Sequence, residues 1–500
     1  MTRFAEHDTS RPTLSPALSR RELLASLGAL AAGSFFYGCS SSSSSPSSPT
    51  PPSLPAQPAP AGPLTSATVS VSATQAGTMP QRFIGLSYEK AKLSQPLFSG
   101  SNTNLIALVK LLGNGVLRIG GNSVDETNWT PNGPGQTAGQ TAPSDVNSLA
   151  SFISAVGWPV LYGVNLAQST PAVAAAEVAY VANALGSNLL GIEIGNEPDL
   201  YAGHYFPSTW DFADYLALWQ SFASAIQAQT PGVPLTGPVT AYNSTWFTSF
   251  AQAEAKDVVL LSMHYYRANG QSPSSTIELL LSYPDANLQK DLVPLLAASQ
   301  AAGVPYRMAE TNSFYNGGAP NVSDSYASAL WVIDHLFTIA QGGSVGVNLH
   351  GGGNGDGYTP IADNDGVVVE ARPEYYGVLL CSLAGQGPLL GTTIDAGSLN
   401  TSAYTVQNSA SQLSLIINNK DSTQNLQFTV TCPSDVESAT LQLLSGPSLS
   451  ATSGVTIQGS PVNSNGSFSP QSPYGLAVSS DTFTGYVPAA SAAFISIKLS

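Results

Sequence analysis

Two glutamates stand where an apolar run meets polar chain. The run Leu189–Ile194 leads into Gly195-Asn196-Glu197-Pro198, and the run Tyr306–Thr311 ends Met308-Ala309-Glu310-Thr311. A carboxyl pair suits cleavage of a glycosidic bond, in which one acid protonates the leaving oxygen and one carboxylate acts on the anomeric carbon. A lone glutamate at such a place is usually a solvated loop carboxylate; the joint occurrence of the two motifs argues for catalysis. Pro198 disfavours helical angles at the residue before it, so Glu197 is expected to be extended at a strand tip.

The elements that must position this pair can be counted. Apolar runs at Phe83–Tyr88, Val116–Gly120, Val160–Leu166, Leu189–Ile194, Leu235–Ala241, Val258–Tyr266, Tyr306–Thr311 and Val345–His350 read as buried parallel strands. Amphipathic stretches fill the gaps, among them Asn104–Leu112, Ala172–Leu185, Thr209–Gln229 and Tyr326–Ala340. Eight such units match an α/β (β/α)8 TIM barrel over residues 83–382, with the chemistry at the C-terminal strand ends. A doubly wound sheet is the runner-up, but no GxGxxG follows any strand. Beyond 383 the texture changes to short runs between Ser, Gly, Asn and Pro: Leu413–Ile417, Leu426–Thr431, Ala439–Leu444, Gly475–Val478 and Ala493–Leu499. Residues 383–500 therefore read as a C-terminal antiparallel β-sandwich, to which 66–82, with the alternating Ala67–Ala73, adds a strand.

Charge narrows the function. Sixteen Lys+Arg face 31 Asp+Glu, a net charge of −15, which argues against nucleic acid and against an anionic membrane surface. Three Cys and five His without HExxH or Cys/His spacing give no metal site, and no cofactor is expected. Cys381 and Cys432 would either pair or remain buried thiols. Ser19-Arg20-Arg21-Glu22-Leu23-Leu24 before an uncharged run to Tyr37 looks like a twin-arginine signal peptide over 1–38. Phe36-Tyr37-Gly38-Cys39 resembles a lipoprotein cleavage box, with Cys39 as the lipid anchor. Residues 39–65 read as a Ser/Pro-rich linker. The expected location is exported: periplasmic, membrane-tethered or secreted.

The strand-four and strand-seven pairing resembles clan A retaining glycoside hydrolases. Ala309-Glu310-Thr311-Asn312-Ser313-Phe314-Tyr315-Asn316-Gly317-Gly318-Ala319-Pro320, followed by Ser323-Asp324-Ser325-Tyr326, is similar to glycoside hydrolase family 79, which holds β-glucuronidases and heparanases. Leu117-Arg118-Ile119-Gly120-Gly121-Asn122 and His264-Tyr265-Tyr266 also look like that family's second and sixth strands. The resemblance implies that Glu197 is the general acid/base, Glu310 the nucleophile, and Asn196 a partner of the sugar 2-hydroxyl. His264 and Tyr266 would share one face, with Tyr266 donating to Glu310; a register shifted by one would give Tyr265 that role. Glu89 and Asn122 match sugar-binding positions, although Glu89 would alternatively pair with Lys90 or Lys92.

A glucuronate carries a carboxylate, yet Arg118 and Arg307 lie within strands and read as structural. The resemblance implies recognition by amides and hydroxyls at Tyr315, Asn316, Gly317, Gly357 and Tyr358. The glycine-rich stretch from His350 to Gly357 lacks the Gly-Lys-Ser/Thr of a phosphate loop. Between Arg118 and Lys256 there is no Lys or Arg, so a polysulfated chain would be repelled and an exo-acting β-glucuronidase is favoured over an endo-acting one. The alternatives are a clan A hydrolase of a neutral sugar (β-glucosidase, β-xylosidase or arabinofuranosidase) and a non-catalytic, envelope-tethered carbohydrate-binding protein.

Overall fold

A computed structural model of the chain describes residues 54–355 and 357–500. The signal segment, Cys39 and the first part of the linker lie outside the described residues. Among the described residues no helix is long and apolar enough to cross a membrane.

Eight parallel strands close into a barrel: β1 (Gly85–Glu89), β2 (Val116–Gly120), β3 (Val160–Val164), β4 (Leu189–Ile194), β5 (Leu235–Thr240), β6 (Leu260–Asn269), β7 (Tyr306–Tyr315) and β8 (Val347–Gly351). β8 pairs with β1 through Leu349 and Leu86, which completes the ring. The expected (β/α)8 architecture is thus present. Every residue of β2 and β3 is buried, as continuous apolar runs demand when helices cover the sheet. β6 and β7 run further than expected, ten residues each, because they continue past the barrel rim as a paired arm in which Tyr315 faces Asn269.

The C-terminal strands form one eleven-stranded sheet that begins with a leading strand, Leu64–Met79. That strand pairs antiparallel with Gly387–Asp395 but parallel with Asn425–Thr431, so one pairing departs from the antiparallel expectation. Three of the longer strands were not legible, Gly387–Asp395, Thr401–Ser409 and Thr482–Val487, nor was the two-residue Thr456–Ile457. Their Thr, Ser and Gly content hides the apolar alternation that marks a strand. Residues 54–63, counted above as linker, are docked. The Gln57 amide exchanges hydrogen bonds with the Tyr486 backbone at 2.7 and 2.9 Å, and Asn425 Nδ2 donates to Ala61 O at 3.0 Å. A proline-rich segment has few N–H groups to offer a ladder, so side chains from the sheet reach out to its carbonyls. Cys381 and Cys432 are both free and buried.

Barrel and sheet share a core through α1 (Tyr326–Gln341), buried on all sides from Tyr326 to Ala340. On its sheet side Asp334 meets Lys420 in a buried ion pair and accepts from Ser402 Oγ at 2.5 Å and the Tyr404 hydroxyl at 3.0 Å. The Tyr404 ring stacks on Phe337 with centroids 4.4 Å apart. Removing one partner of a buried pair strands the other charge, which typically costs about 3–5 kcal/mol. Asp334→Ala should therefore lower the thermal midpoint far more than Lys498→Ala, which breaks an ion pair that is half exposed on both sides. Calorimetry of the two variants checks this, and equal small losses would refute it.

Candidate active site

The two glutamates reach the same point by different local means. β7 shifts register between Met308 and Glu310 against β6, and the irregularity at Ala309 turns Glu310 into the barrel mouth. Glu197 lies three residues past β4 and is not extended as expected: it takes φ 51°, ψ 52°. Its N–H donates to Val239 O at 2.9 Å and its carbonyl accepts from the Leu200 N–H at 2.9 Å. An extended residue could not close that turn. Proline excludes right-handed helical angles for the residue before it, and these two bonds select the left-handed ones instead.

Beneath Glu310 lies Arg118, fully buried on β2. A guanidinium has five N–H donors, and all five are engaged. Nε donates to Glu193 at 2.6 Å, Nη1 to Ser87 Oγ at 3.1 Å and Glu310 Oε2 at 2.6 Å, and Nη2 to Asn196 Oδ1 at 2.9 Å, with His264 Nε2 at 3.2 Å. Arginine cannot accept, so His264 Nε2 is the acceptor, and its Nδ1–H donates to Glu197 Oε1 at 2.9 Å. The Tyr266 hydroxyl donates to Glu310 Oε1 at 2.8 Å. Burial alone would raise the Glu310 carboxyl. The His350 ring, the Arg118 guanidinium and the Tyr266 hydroxyl outweigh it and hold Glu310 well below the usual carboxylate range. Burial, and the Glu310 charge next, push the Tyr266 hydroxyl well above its ordinary value, so it remains a donor.

A second set of contacts shapes the sugar wall. Glu89 accepts from the Ser123 N–H at 2.8 Å, the Ser123 hydroxyl at 2.5 Å and the Asn122 N–H at 3.2 Å. Gly121 makes this possible: at φ 76° an added Cβ would sit 2.4 Å from the Glu89 carboxyl carbon. Neither lysine pairs with Glu89, because Lys90 is buried against Glu177 and Lys92 meets Asp363. His350 Nε2 lies 3.4 Å from Glu89 and its Nδ1 3.6 Å from Glu310. Burial would lower His350, but these two carboxylates raise it. Asn196 Nδ2 donates to Asn122 Oδ1 at 3.2 Å. The Asn196 N–H is held by Asp125, which also accepts from Leu166, Ala167 and the Tyr201 hydroxyl.

A cleft of about 930 Å³ opens over the pair, within the usual size for a small-ligand site. Glu89, Asn122, Asn196, Glu197, Tyr266, Glu310, Tyr315, Asn316, Gly317 and Tyr358 line it. His264 stands behind Glu197. Two expected residues are displaced. Tyr265 faces away from Glu310 and donates to Asp285 at 2.9 Å, since alternation places it on the opposite face from His264 and Tyr266. The Gly357 N–H donates to Gly317 O at 2.7 Å and cannot serve an anion. Sequence reasoning missed Arg118 as a site residue, together with Glu193, His350, Asp125 and Asn312. Asn312 Nδ2 donates to His350 O at 2.9 Å and Tyr358 O at 2.8 Å. The signal available for Arg118 was a charge in the middle of a wholly apolar strand, which in a closed barrel must find a partner on the axis. Glu197, His264 and Glu310 bring ligand atoms within 4.8 Å of one another, close enough for an ion. Arg118 and Tyr266 already occupy both Glu310 oxygens, which suits a carboxylate kept ionised for attack.

No family model matches the chain. It is 25% identical over 377 residues to a β-glucuronidase of Aspergillus niger, covering 65% of this chain and 69% of that one. It is 26% identical over 276 residues to a β-glucuronidase of Neurospora crassa, covering 47% and 49% respectively, so it spans about half of that relative. Among solved structures, a 4-O-α-L-rhamnosyl-β-D-glucuronidase from Fusarium oxysporum superposes with a TM-score of 0.69 at 19% identity, over 86% of this chain and all of that one. The fold is thus that of known glycosidases.

Arg118 is testable through pH. A carboxyl held low in the folded state stays ionised as pH falls through the ordinary carboxylate range, and its stabilising contribution is lost only on protonation. Arg118→Met removes one of the groups that holds Glu310 low, so the acid limb of kcat/KM should move to higher pH. Arg118→Lys, which keeps the charge without the fork, should move it less. A pH–rate profile with an unmoved acid limb in both variants would refute the role.

Proposed function

We propose that this glycoside hydrolase, whose relatives are β-glucuronidases, releases terminal β-linked glucuronic acid from a glycan or glycoside by a two-glutamate double displacement. The observation that carries the reading is the unlike surroundings of two carboxylates whose oxygens approach within 4.8 Å. Glu310 is buried against Arg118 and capped by Tyr266, fit to remain an anion and attack the anomeric carbon. Glu197 is half-buried at the cleft wall, fit to give a proton to the leaving oxygen and then take one from water. Asn196, held by Arg118 and Asn122, would meet the sugar 2-hydroxyl. The close approach favours retention, since inversion needs carboxyls ~6.5–9.5 Å apart to admit a water. An exo mode is supported by a cleft in which, among the described residues, Arg267 is the single lining Arg or Lys, giving a polyanion little to grip. The twin-arginine motif supports an exported enzyme, tethered where Cys39 is acylated.

The neutral-sugar reading has one observation in its favour. Arg267, the one Arg lining the cleft among the described residues, is already engaged by Leu280 O, Ser282 and Asp285. Matched nitrophenyl glucuronide and glucoside, assayed at several acidic pH values, separate the two, and higher turnover of the glucoside would reverse the assignment.

Two predictions follow from the roles assigned. NMR of the first-formed product should give the β anomer from a β-glucuronide. Glu310→Ala should abolish turnover for every leaving group, whereas Glu197→Ala should keep activated aryl substrates and be rescued by azide. An α product, or aryl activity surviving in Glu310→Ala, contradicts the scheme.

The Gly357 amide is engaged, and carboxylate recognition is assigned to Tyr315, Asn316, Gly317 and Tyr358, which line the cleft on the Glu310 side. A hydrogen bond to a charged group is worth ~1.5–3 kcal/mol, roughly 10- to 150-fold. Tyr315→Phe and Tyr358→Phe should lower kcat/KM for glucuronides by that order and leave glucosides nearly unaffected. Equal losses on both substrates would make these tyrosines packing residues only.

A further inference from the structure

The cleft extends well beyond the space between the glutamates, and its two sides differ. The Glu310 side carries Tyr315 and Tyr358. The Glu197 side carries Leu200, His204 and Tyr205, on the loop that follows Glu197, and Tyr242, just beyond β5. A proton donor must stand beside the leaving oxygen, so the departing group rests against this second side. Tyr242 is 69% exposed and Leu200 43%. Exposed apolar side chains gathered at the mouth of a cleft mark a surface that a ligand covers.

This wall is built rather than incidental. Asp199 accepts from the Ala241 N–H at 2.9 Å and the Tyr242 N–H at 3.5 Å, fastening the loop that bears Tyr242 to the loop that bears Glu197. From behind, Trp210 Nε1 donates to Pro198 O at 2.9 Å while its ring stacks on Phe206, centroids 4.1 Å apart. The His204 and Tyr205 rings are themselves 4.1 Å apart. The charge here has one sign. Exposed Glu126 lines the same cleft, and among the described residues no Lys or Arg lines this side to offset it.

We propose that Leu200, His204, Tyr205 and Tyr242 form the aglycone site, that it takes a neutral group with a flat face, and that Glu126 disfavours anionic aglycones. An aryl ring and the C–H face of a neutral sugar share the required chemistry, since both cover a ring by stacking. The inference rests on Glu197 being the proton donor.

The test uses the whole enzyme and four substrates: β-glucuronyl fluoride, phenyl β-glucuronide, its 3-sulfonate, and a glucuronosyl-xylose disaccharide. The fluoride has no aglycone surface to lose. Tyr242→Ala and Tyr205→Ala should raise KM for the phenyl glucuronide about three- to tenfold relative to that for the fluoride, the size expected of one aromatic contact. A like rise for the disaccharide identifies a sugar as an occupant; a rise confined to the phenyl substrate identifies an aryl group. Wild type should prefer phenyl over 3-sulfonatophenyl, and Glu126→Gln should narrow that preference. Ratios unchanged in every variant would overturn the aglycone site while leaving the glucuronidase reading intact. Failure of wild type to turn over the fluoride would overturn both.

Discussion

One guanidinium buried among carboxylates constrains the whole barrel. Arg118 sits between Glu193 and Glu310, each at 2.6 Å, and none of the three reaches bulk water freely. Desolvating an ion costs several kcal/mol, and attraction offsets this only when the geometry is complete. Completeness here requires Ser87 from β1, Asn196 from beyond β4, His264 from β6 and Glu310 from β7. Strands so distant in sequence converge on one point only where a sheet closes on itself. Barrel closure and the preparation of Glu310 are therefore one physical requirement, and a slipped strand would leave a buried charge unpaired.

The same charge divides the chemistry. Glu310, with both oxygens engaged, has one posture and one ionisation state over a wide pH range. Glu197 keeps a single side-chain bond among the described residues, to His264, and is only partly buried. A carboxyl that must donate and later accept a proton needs that looser setting. His350, between Glu310 and Glu89, ties the reacting centre to the wall expected to read sugar hydroxyls.

The barrel was legible because its strands are apolar throughout and its helices periodic. Asn196-Glu197 and Glu310 were legible because polar residues at strand ends stand out against that background. The Tyr265/Tyr266 ambiguity was of register, and only strand pairing resolves it, since one residue separates the two faces. Glu197 was misjudged because a local rule about proline was applied without the long-range bond to Val239 and the turn closed by Leu200 that together set its angles. Gly357 was misjudged because a sequence does not say what an amide already donates to. Arg118 was dismissed as structural on the ground that it lies inside a strand, yet a mid-strand side chain on the inner face of a barrel points toward the catalytic axis. In the sheet domain, polar strands such as Thr401–Ser409 fall below any apolar criterion.

The sheet domain bears on the reacting centre through α1. That helix follows β7, and its buried His335 lies with Nε2 2.9 Å from Thr311 Oγ1, beside Glu310 in sequence. The Thr311 hydroxyl donates to Tyr265 O at 2.6 Å, so it accepts from the ring, which must carry its proton on Nε2. Burial pushes His335 down to about 3, so the ring is neutral and this bond persists across any working pH. The next residue back, Asp334, is the anchor for Lys420, Ser402 and Tyr404 of the sheet. One turn of helix thus grips the strand carrying Glu310 on one side and the second domain on the other. Loosening the domain contact would free that turn, and the first strand to feel it would be the one carrying Glu310. A sheet with none of the expected site residues is in this way part of what holds Glu310 in place.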